Sequence, residues 1–369
     1  MTEWIECTLD KLGEIVGGAT PSTKCEDYYG GSIPWITPKD LSSFKVRYIT
    51  SGERNITEKG LASCSAQMMP KDAVLFTSRA PIGYVAIASQ SVCTNQGFKS
   101  IVVNEKADPL FVYYLLKYNK DAIEAMGSGT TFKEVSGKTM RAVKVRIPLD
   151  VSYQKRIAAV LDSLDTKIEN NERINDNLQQ QAQAIYSSMF IDNSESAWTH
   201  GHLSDLVTVK YGKDHKKLSE GIYPVYGSGG IMRYVERPLY DKESVLIPRK
   251  GTLNNVMYVN QPFWSVDTMF YTEMKLPNVA KFVYHFVKAK DLASMNAGSA
   301  VPSMTTDILN AMEVVIPSAS ALEEFEALVA PMYEAMEAND VQSQALSKVR
   351  DTLLPKLMSG EIDVSSVLL

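Results

Sequence analysis

Residues 157–189 read IAAVLDSLDTKIENNERINDNLQQQAQAIYSSM, and their spacing decides the architecture. Ile157, Leu161, Leu164, Ile168, Asn171, Asn175, Leu178, Ala182, Ile185 and Met189 recur in alternating steps of four and three. That is the a/d seam of a coiled coil, in which a 3.5-residue period keeps one helix face against a partner. No Pro or Gly interrupts residues 152–190, so one long helix is predicted. Adding 168 gives Phe325, Val329, Met332, Met336, Asn339, Ser343, Leu346, Arg350, Leu353 and Leu357. The second run repeats the seam, with Arg350 as its one poor fit. Pro331, near its start, removes a backbone donor.

The polar layer sets a register. If the two helices pair antiparallel about the midpoints of both runs, Asn171 faces Ser343 and Asn175 faces Asn339. Buried polar pairs of this kind fix alignment at some cost in stability. At ~1.5 Å per residue each helix spans about 55 Å.

Working outward, the rest of the chain is also duplicated. Phe111 to Lys117 (FVYYLLK) matches Phe282 to Lys288 (FVYHFVK), and Asp72 to Phe76 matches Glu243 to Ile247, both at offset 171. Val143 to Pro148 matches Met312 to Pro317 at 169; Trp4, Leu9 and Leu12 match Trp198, Leu203 and Leu206 at 194. Four matches in one order imply a domain pair. Each copy opens with short β-rich runs punctuated by Gly and Pro. These are residues 33–36, 73–77, 84–88 and 99–103 in the first copy, and 222–226, 244–247 and 256–259 in the second. A helix follows, over 109–120 or 279–290, and then a short strand stopped by Pro148 or Pro317. The fold class is therefore α+β. Two globules, 1–150 and 197–317, alternate with two helical blocks, 151–196 and 318–369, related by a pseudo-twofold internal duplication.

The chain has 369 residues, 45% hydrophobic and 22% charged, as expected of globular domains. Its net charge of −5 is unevenly spread. The globules each carry net +2, the helical blocks −3 and −6. A nucleic-acid-binding face on the globules is thus compatible with an acidic whole. Cys7, Cys25, Cys64 and Cys93 form no C-x-x-C pair, which argues against zinc and disulfides and for a reducing compartment. No signal-peptide pattern or apolar run of ~20 residues occurs, so a cytoplasmic protein without a membrane role is expected.

Catalytic motifs fail. Gly137-Lys138-Thr139 resembles the end of a phosphate loop, but the first glycine of that loop falls on Phe132. No Pro-Pro pair exists, so the Asn/Asp-Pro-Pro-Tyr/Phe motif of a self-contained adenine methyltransferase is absent. His200 and His202 lack a nearby third ligand. No catalytic residue and no metal site is expected.

Globule, long helix, related globule, related long helix resembles the layout of the specificity subunit of Type I restriction–modification systems. Thr77 to Gly83 (TSRAPIG) and Thr94 to Phe98 (TNQGF) are similar to segments of that family's target-recognition domains. Leu149 to Ile168 resembles the start of its first spacer helix, and Leu353 to Ile362 (LLPKLMSGEI) its closing segment. The resemblance covers essentially the whole chain. It implies a non-catalytic subunit with target-recognition domains at 1–150 and 197–317, reading one half each of a bipartite site on double-stranded DNA. The partners it implies are two adenine-N6 methyltransferase subunits docked on the helices, to which two restriction subunits can be added. It implies no cofactor on this chain: S-adenosylmethionine, and ATP with Mg for restriction, would belong to the partners. The second globule departs from the pattern. Pro248-Arg249-Lys250-Gly251 replaces the Ser-Arg-Ala-Pro run, and the Asn95-Gln96 counterpart is near Val266-Asp267. Two other readings fit the layout: a specificity subunit of a different DNA-modifying enzyme, and a coiled-coil adaptor without a DNA role.

Loops rich in Gly, Pro and Ser supply the candidate DNA contacts, because exposed polar groups there can reach a groove. In the first globule they are Thr37, Lys39, Ser78, Arg79, Tyr84, Gln96, Thr130 and Lys133. In the second they are Lys210, Lys213, Lys216, Ser228, Arg249, Lys250, Asn254 and Asn255. The Arg79 fork suits guanine O6/N7, and Gln96 suits adenine.

Overall fold

The computed structural model describes residues 3–367 apart from 43, 45, 130–132, 196 and 296–302. Two compact units emerge, Met1–Arg173 with Asn339–Leu369, and Ile174–Ala338. Both long helices form, over Val151–Ser187 and Ala319–Ser359, and the second continues through Pro331. The unit boundary crosses both helices, so each unit combines a globule with one half of each helix.

In the first unit the strands are β1 (Trp4–Thr8), β2 (Gly13–Gly17), β3 (Tyr29–Ile36), β4 (Tyr48–Ile49) and β5 (Arg54–Ile56). They continue with β6 (Val74–Ser78), β7 (Ile82–Ala88), β8 (Cys93–Thr94), β9 (Lys99–Val103) and β10 (Lys144–Pro148). The sheet orders are β2-β9-β6-β7-β4, β5-β3-β8 and β1-β10. In the second unit they are β11 (Thr199–His202), β12 (Val207–Tyr211), β13 (Tyr223–Gly227), β14 (Gly230–Val235) and β15 (Ser244–Pro248). Last come β16 (Met257–Val259), β17 (Trp264–Ser265), β18 (Met269–Met274) and β19 (Glu313–Ile316). Their orders are β12-β18-β15-β16, β14-β13-β17 and β11-β19.

The orders match strand for strand, with β4 the one addition in the first unit. Even a two-residue parallel pairing repeats. Trp35 and Ile36 pair with Cys93 and Thr94 in one unit, as Val225 and Tyr226 pair with Trp264 and Ser265 in the other. The duplication read from the sequence is therefore a duplication of topology. Each central strand, β6 or β15, is buried along its whole length, because one face meets a helix and the other a second apolar layer.

Each core joins sheet, short helix and long helices. In the first unit Val74, Phe76 and Ile101 pack with Phe111 and Leu115 of the Pro109–Tyr118 helix, with Ile157 and Leu161, and with Leu357 and Met358. Asp108 starts that short helix by accepting from the Phe111 N–H at 3.0 Å, with Pro109 next in line. In the second unit Val245, Ile247 and Phe270 pack with Phe282 and Phe286 of the Ala280–Lys288 helix, with Ala182 and Tyr186, and with Phe325 and Val329.

Within each unit the helix halves run antiparallel. In the first, the Asn171 amide nitrogen lies 3.1 Å from Ser343 Oγ, 2.9 Å from Gln342 Oε1 and 3.3 Å from the Asn339 carbonyl. Further along, Arg350 Nη1 meets Asp165 Oδ1 at 2.7 Å. In the second, Asn175 donates to the Met336 carbonyl at 3.2 Å, and the Tyr186 ring lies 6.2 Å from that of Phe325. Rising numbers on one helix meet falling numbers on the other. The pairing of Asn171 with Ser343 is as the polar layer required, and none of the twenty seam residues is exposed.

Arg350 is explained by its partner. Asp165 is buried and accepts from Tyr114 Oη at 2.7 Å on its other oxygen. Burial and the adjacent Asp165 carboxylate push the Tyr114 hydroxyl far up, so it stays a donor. Arg47 makes a second tie. Its guanidinium reaches the Asp162 carbonyl at 3.1 Å, Thr166 Oγ1 at 2.9 Å and Glu169 Oε2 at 3.2 Å. In the second unit Lys281 pairs with Glu326 at 2.6 Å and Glu243 at 3.1 Å. There His285 sits between Gln183 Oε1 at 2.8 Å and Tyr333 Oη at 3.0 Å. Among the described residues no helix is long and apolar enough to cross a membrane.

Two predictions follow from these ties. Asp165→Ala leaves Tyr114 without its acceptor and Arg350 with Asp351 alone, so chemical denaturation should report a loss of about 1–3 kcal/mol, with part recovered in Asp165→Ala/Arg350→Met. Burial, reinforced by Lys288, lowers His285 from 6.5 to about 4. Between those values the unfolded chain binds a proton that the folded one does not, so stability falls as pH drops from about 6.5 towards 4. Urea titrations at pH 7 and pH 5 should show the loss in the native chain and a smaller one in His285→Gln.

Candidate nucleic-acid interface

The Thr94 to Phe98 segment is the hub of the candidate residues in the first unit. Ser78, fully buried at the end of β6, donates to the Gly97 carbonyl through its N–H at 2.7 Å and its hydroxyl at 3.1 Å. A Cβ on Gly97 would come within 2.7 Å of Pro38, so the Thr37 loop packs directly on the hub. The Thr37 N–H and hydroxyl both donate to Asp40 Oδ2 at 2.7 Å. Gln96 Oε1 accepts from Thr20 Oγ1. Behind it Gly18 is held against the Thr94 and Asn95 carbonyls, where any Cβ would collide at 2.2 and 2.1 Å.

Arg79 follows Ser78 in the β6–β7 turn, where Ala80 has a positive φ of 47°. Its backbone bridges to Glu134, and Val135 donates to the Ser78 carbonyl at 2.9 Å. Glu134 stands between two cations, Arg79 Nη1 and Lys99 Nζ, each at 3.5 Å. Lys133 beside it is exposed. Lys39 forms an exposed pair with Glu53 at 2.7 Å, which raises its pKa. The Tyr84 N–H donates to Thr77 Oγ1, and its ring packs on the core beside Phe98. Thr130 lies outside the described residues. Of the eight candidates, Thr37, Ser78, Arg79, Gln96 and Lys133 gather on the hub and the two segments crossing it.

The second unit repeats the arrangement with different side chains. Lys213 donates its N–H to the Ser265 carbonyl at 2.8 Å, and its own carbonyl accepts from Trp264 Nε1 at 2.8 Å. Gly212 is pressed against the Val266 carbonyl as Gly18 is against Asn95. Arg249 is tied by its N–H to the Thr268 carbonyl and by its carbonyl to the Met304 N–H, both at 2.9 Å. Among the described residues no carboxylate pairs with its guanidinium, which donates to the Asp267 carbonyl at 3.4 Å and lies 5.3 Å over the Tyr211 ring. Lys250 bridges to Ser303, the position that Glu134 occupies in the first unit. Asn255 donates to the Ser228 carbonyl at 2.8 Å and so fixes the β13–β14 tip. Asn254 is engaged at both amide atoms, with Asp291 Oδ1 and the Ala293 N–H, each at 3.0 Å. Lys210 pairs with Glu273 at 3.8 Å, and the Lys216 N–H donates to Asp214 in a local turn.

Sequence reasoning missed Glu134, Thr20 and Tyr211, which left no signal in their neighbours along the chain. Gly137-Lys138-Thr139 starts a short helix, Gly137–Ala142, where Ser136 Oγ accepts from the Thr139 N–H at 3.0 Å. His200 and His202 lie on β11, and the His202 N–H donates to Asp205. Among the described residues no group of three or more His, Cys, Asp or Glu is placed to hold a metal.

Comparison with known proteins places this geometry. The family model described as the Type I restriction modification DNA specificity domain matches residues 1–180 and 195–324. The MjaIX specificity subunit of a Type I restriction enzyme from Methanocaldococcus jannaschii is 32% identical, covering 99% of this chain and 95% of its own length. The EcoprrI specificity subunit from Escherichia coli is 23% identical over 88% of each chain. The crystal structure of a Type I system S subunit from M. genitalium shares the fold, with a TM-score of 0.62, 19% identity and 96% coverage of both chains. The chain belongs to the Type I restriction–modification DNA specificity family. It is a non-catalytic, sequence-specific DNA-binding subunit; in Type I systems methylation and restriction are carried by other subunits.

Glu134 then becomes testable. Glu134→Ala removes a carboxylate from beside Arg79 and Lys99, so affinity should rise for non-cognate DNA as well as for the target. The slope of log affinity against log salt should steepen by about 0.9 per added phosphate contact. Fluorescence titrations of the assembled complex at two salt concentrations measure both.

Proposed function

We propose that each unit reads one half of a split site on double-stranded DNA. Residues 1–150 and 197–317 act as the reading globules, and residues 151–196 and 318–369 as the spacer helices. The observation that carries this reading is the duplicated hub. In both units a glycine-pressed segment at the end of a parallel bridge lies beside a turn that presents an arginine, Arg79 or Arg249. The two turns differ: Arg79 meets the Glu134 carboxylate, whereas in the other unit Lys250 is bridged at that position and Arg249 lies over the Tyr211 ring, as suits two different half-sites.

Arg79 and Arg249 are assigned to base edges, where a guanidinium fork matches guanine O6 and N7, and Gln96 to adenine. Lys39, Lys133, Lys210, Lys213, Lys216 and Lys250 are assigned to phosphates, which position without specifying. Thr37, Ser78, Asn254 and Asn255, whose side chains bond to neighbouring loop atoms, are assigned to hold the loops, while Tyr84, Ser228 and Thr130 stay candidate contacts. The helical blocks, net −3 and −6, repel phosphate and suit protein partners. Two methyltransferase subunits dock there, with restriction subunits joining them. S-adenosylmethionine, ATP and Mg are bound by those partners, and the complex acts in the cytoplasm.

The test is a methylome. This chain is expressed with an adenine methyltransferase subunit in a methylation-free host, and modified adenines are mapped by long-read sequencing. A motif of two short half-sites with a fixed gap, dependent on both proteins, is expected; no methylation from an assembled complex overturns the proposal. Arg79→Ala should relax one position of one half-site and Arg249→Ala one position of the other, each at a cost of about 1–3 kcal/mol.

A further inference from the structure

The tip of the β13–β14 hairpin carries apolar surface that is largely open to solvent. Ile231 is 45% exposed and Met232 61%, while Val235 at the far end of the strand is buried. β14 is an edge strand, since the sheet order is β14-β13-β17. The turn itself is Ser228-Gly229, closed by the Gly227–Gly230 pair. Gly230 needs glycine for its φ of 110°. Gly229 has no such need, and a Cβ there would meet nothing within 4 Å. A pair of glycines facing open space leaves bare backbone that a ligand can approach closely.

The tip is continuous with the Arg249 turn. Besides the bond from Asn255, a Cβ on Gly251 would lie 2.7 Å from Ser228 Oγ, so turn and tip are in direct contact. Met232 lies over Gly227, whose other neighbour is Val266, next to Asp267 of the hub. Exposed thioether and aliphatic groups therefore stand beside Arg249 and Lys250 on one rim. A protein partner bound through apolar area would not call for cations and a bare glycine turn on that rim. The major groove would: it admits a two-stranded β-ribbon, it is walled by phosphates, and its one apolar landmark is the thymine C5-methyl group.

We propose that Ile231 and Met232 are specificity-determining residues that pack on thymine methyl groups in the half-site read by the Ile174–Ala338 unit. The inference rests on the split-site reading above. The wild-type holocomplex is titrated with duplexes of its methylome-defined target in which single thymines of that half-site are replaced by uracil, which removes only the methyl group. Affinity should fall about fourfold at one or two positions, the worth of one buried methyl-sized group. Met232→Ala should bind thymine and uracil duplexes alike at those positions. Ile222→Thr, at an exposed site outside the tip, should keep the wild-type discrimination. A flat uracil scan, while Arg249→Ala still weakens the complex, overturns the inference and leaves the split-site reading standing. A second half-site lacking thymine on both strands overturns it too. Absence of any methylated motif strikes the split-site reading itself.

Discussion

Asp165 is the constraint on which the first unit depends. A carboxylate at this depth is tolerable only when its oxygens are bonded, and three chain segments converge to bring each oxygen its donor. Tyr114 brings the short helix of the globule, Arg350 the second long helix, and Asp165 itself the first. An apolar seam alone lets a globule slide or roll on its helices. A buried ion pair with a hydrogen-bonded tyrosine permits one alignment, and Arg47, reaching Asp162, Thr166 and Glu169, fixes the same face a turn away.

The second unit meets the same demand by other means. Offset 171 carries Tyr114 to His285, and offset 168 carries Asp165 to Tyr333 and Ala182 to Arg350. The ionic triad has become a neutral chain from Gln183 through His285 to Tyr333. Charge has moved to Lys281, clasped by Glu243 and Glu326. What the duplication conserves is thus a requirement, a polar lock between globule and helix. The residues that meet it are interchangeable so long as no buried group is left unpaired.

The long helices were legible because a heptad seam is a one-dimensional pattern. So was the register, since Asn171 and Ser343 interrupt apolar runs at symmetric places. The odd residue in the seam, Arg350, became intelligible only with Asp165 opposite it, a partner 185 residues away. The candidate interface was half legible. Gly/Pro/Ser-rich loops marked Arg79, Gln96 and Arg249, because loop composition is local. Glu134 and Tyr211 gave no signal, because what they do depends on a bridge and a ring contact between distant segments. Likewise nothing in the residue types foretold that Ser78 and Asn254 would be occupied internally.

The division of the chain also bears on its synthesis. The first unit is discontinuous: its core needs Leu357, Met358 and Val364, which leave the ribosome after the whole of Ile174–Ala338. At ~5–20 residues per second the wait amounts to roughly ten to thirty seconds. Throughout it the first globule lacks the returning helix, and the part of its core that Leu357 and Met358 cover stays open to water. The inserted unit, made from contiguous chain, has all its residues available sooner, although it begins later. An apolar helix face waiting so long beside other nascent copies of itself can pair with the wrong molecule, and the buried asparagine layer, which rewards only one alignment, is what disfavours that exchange.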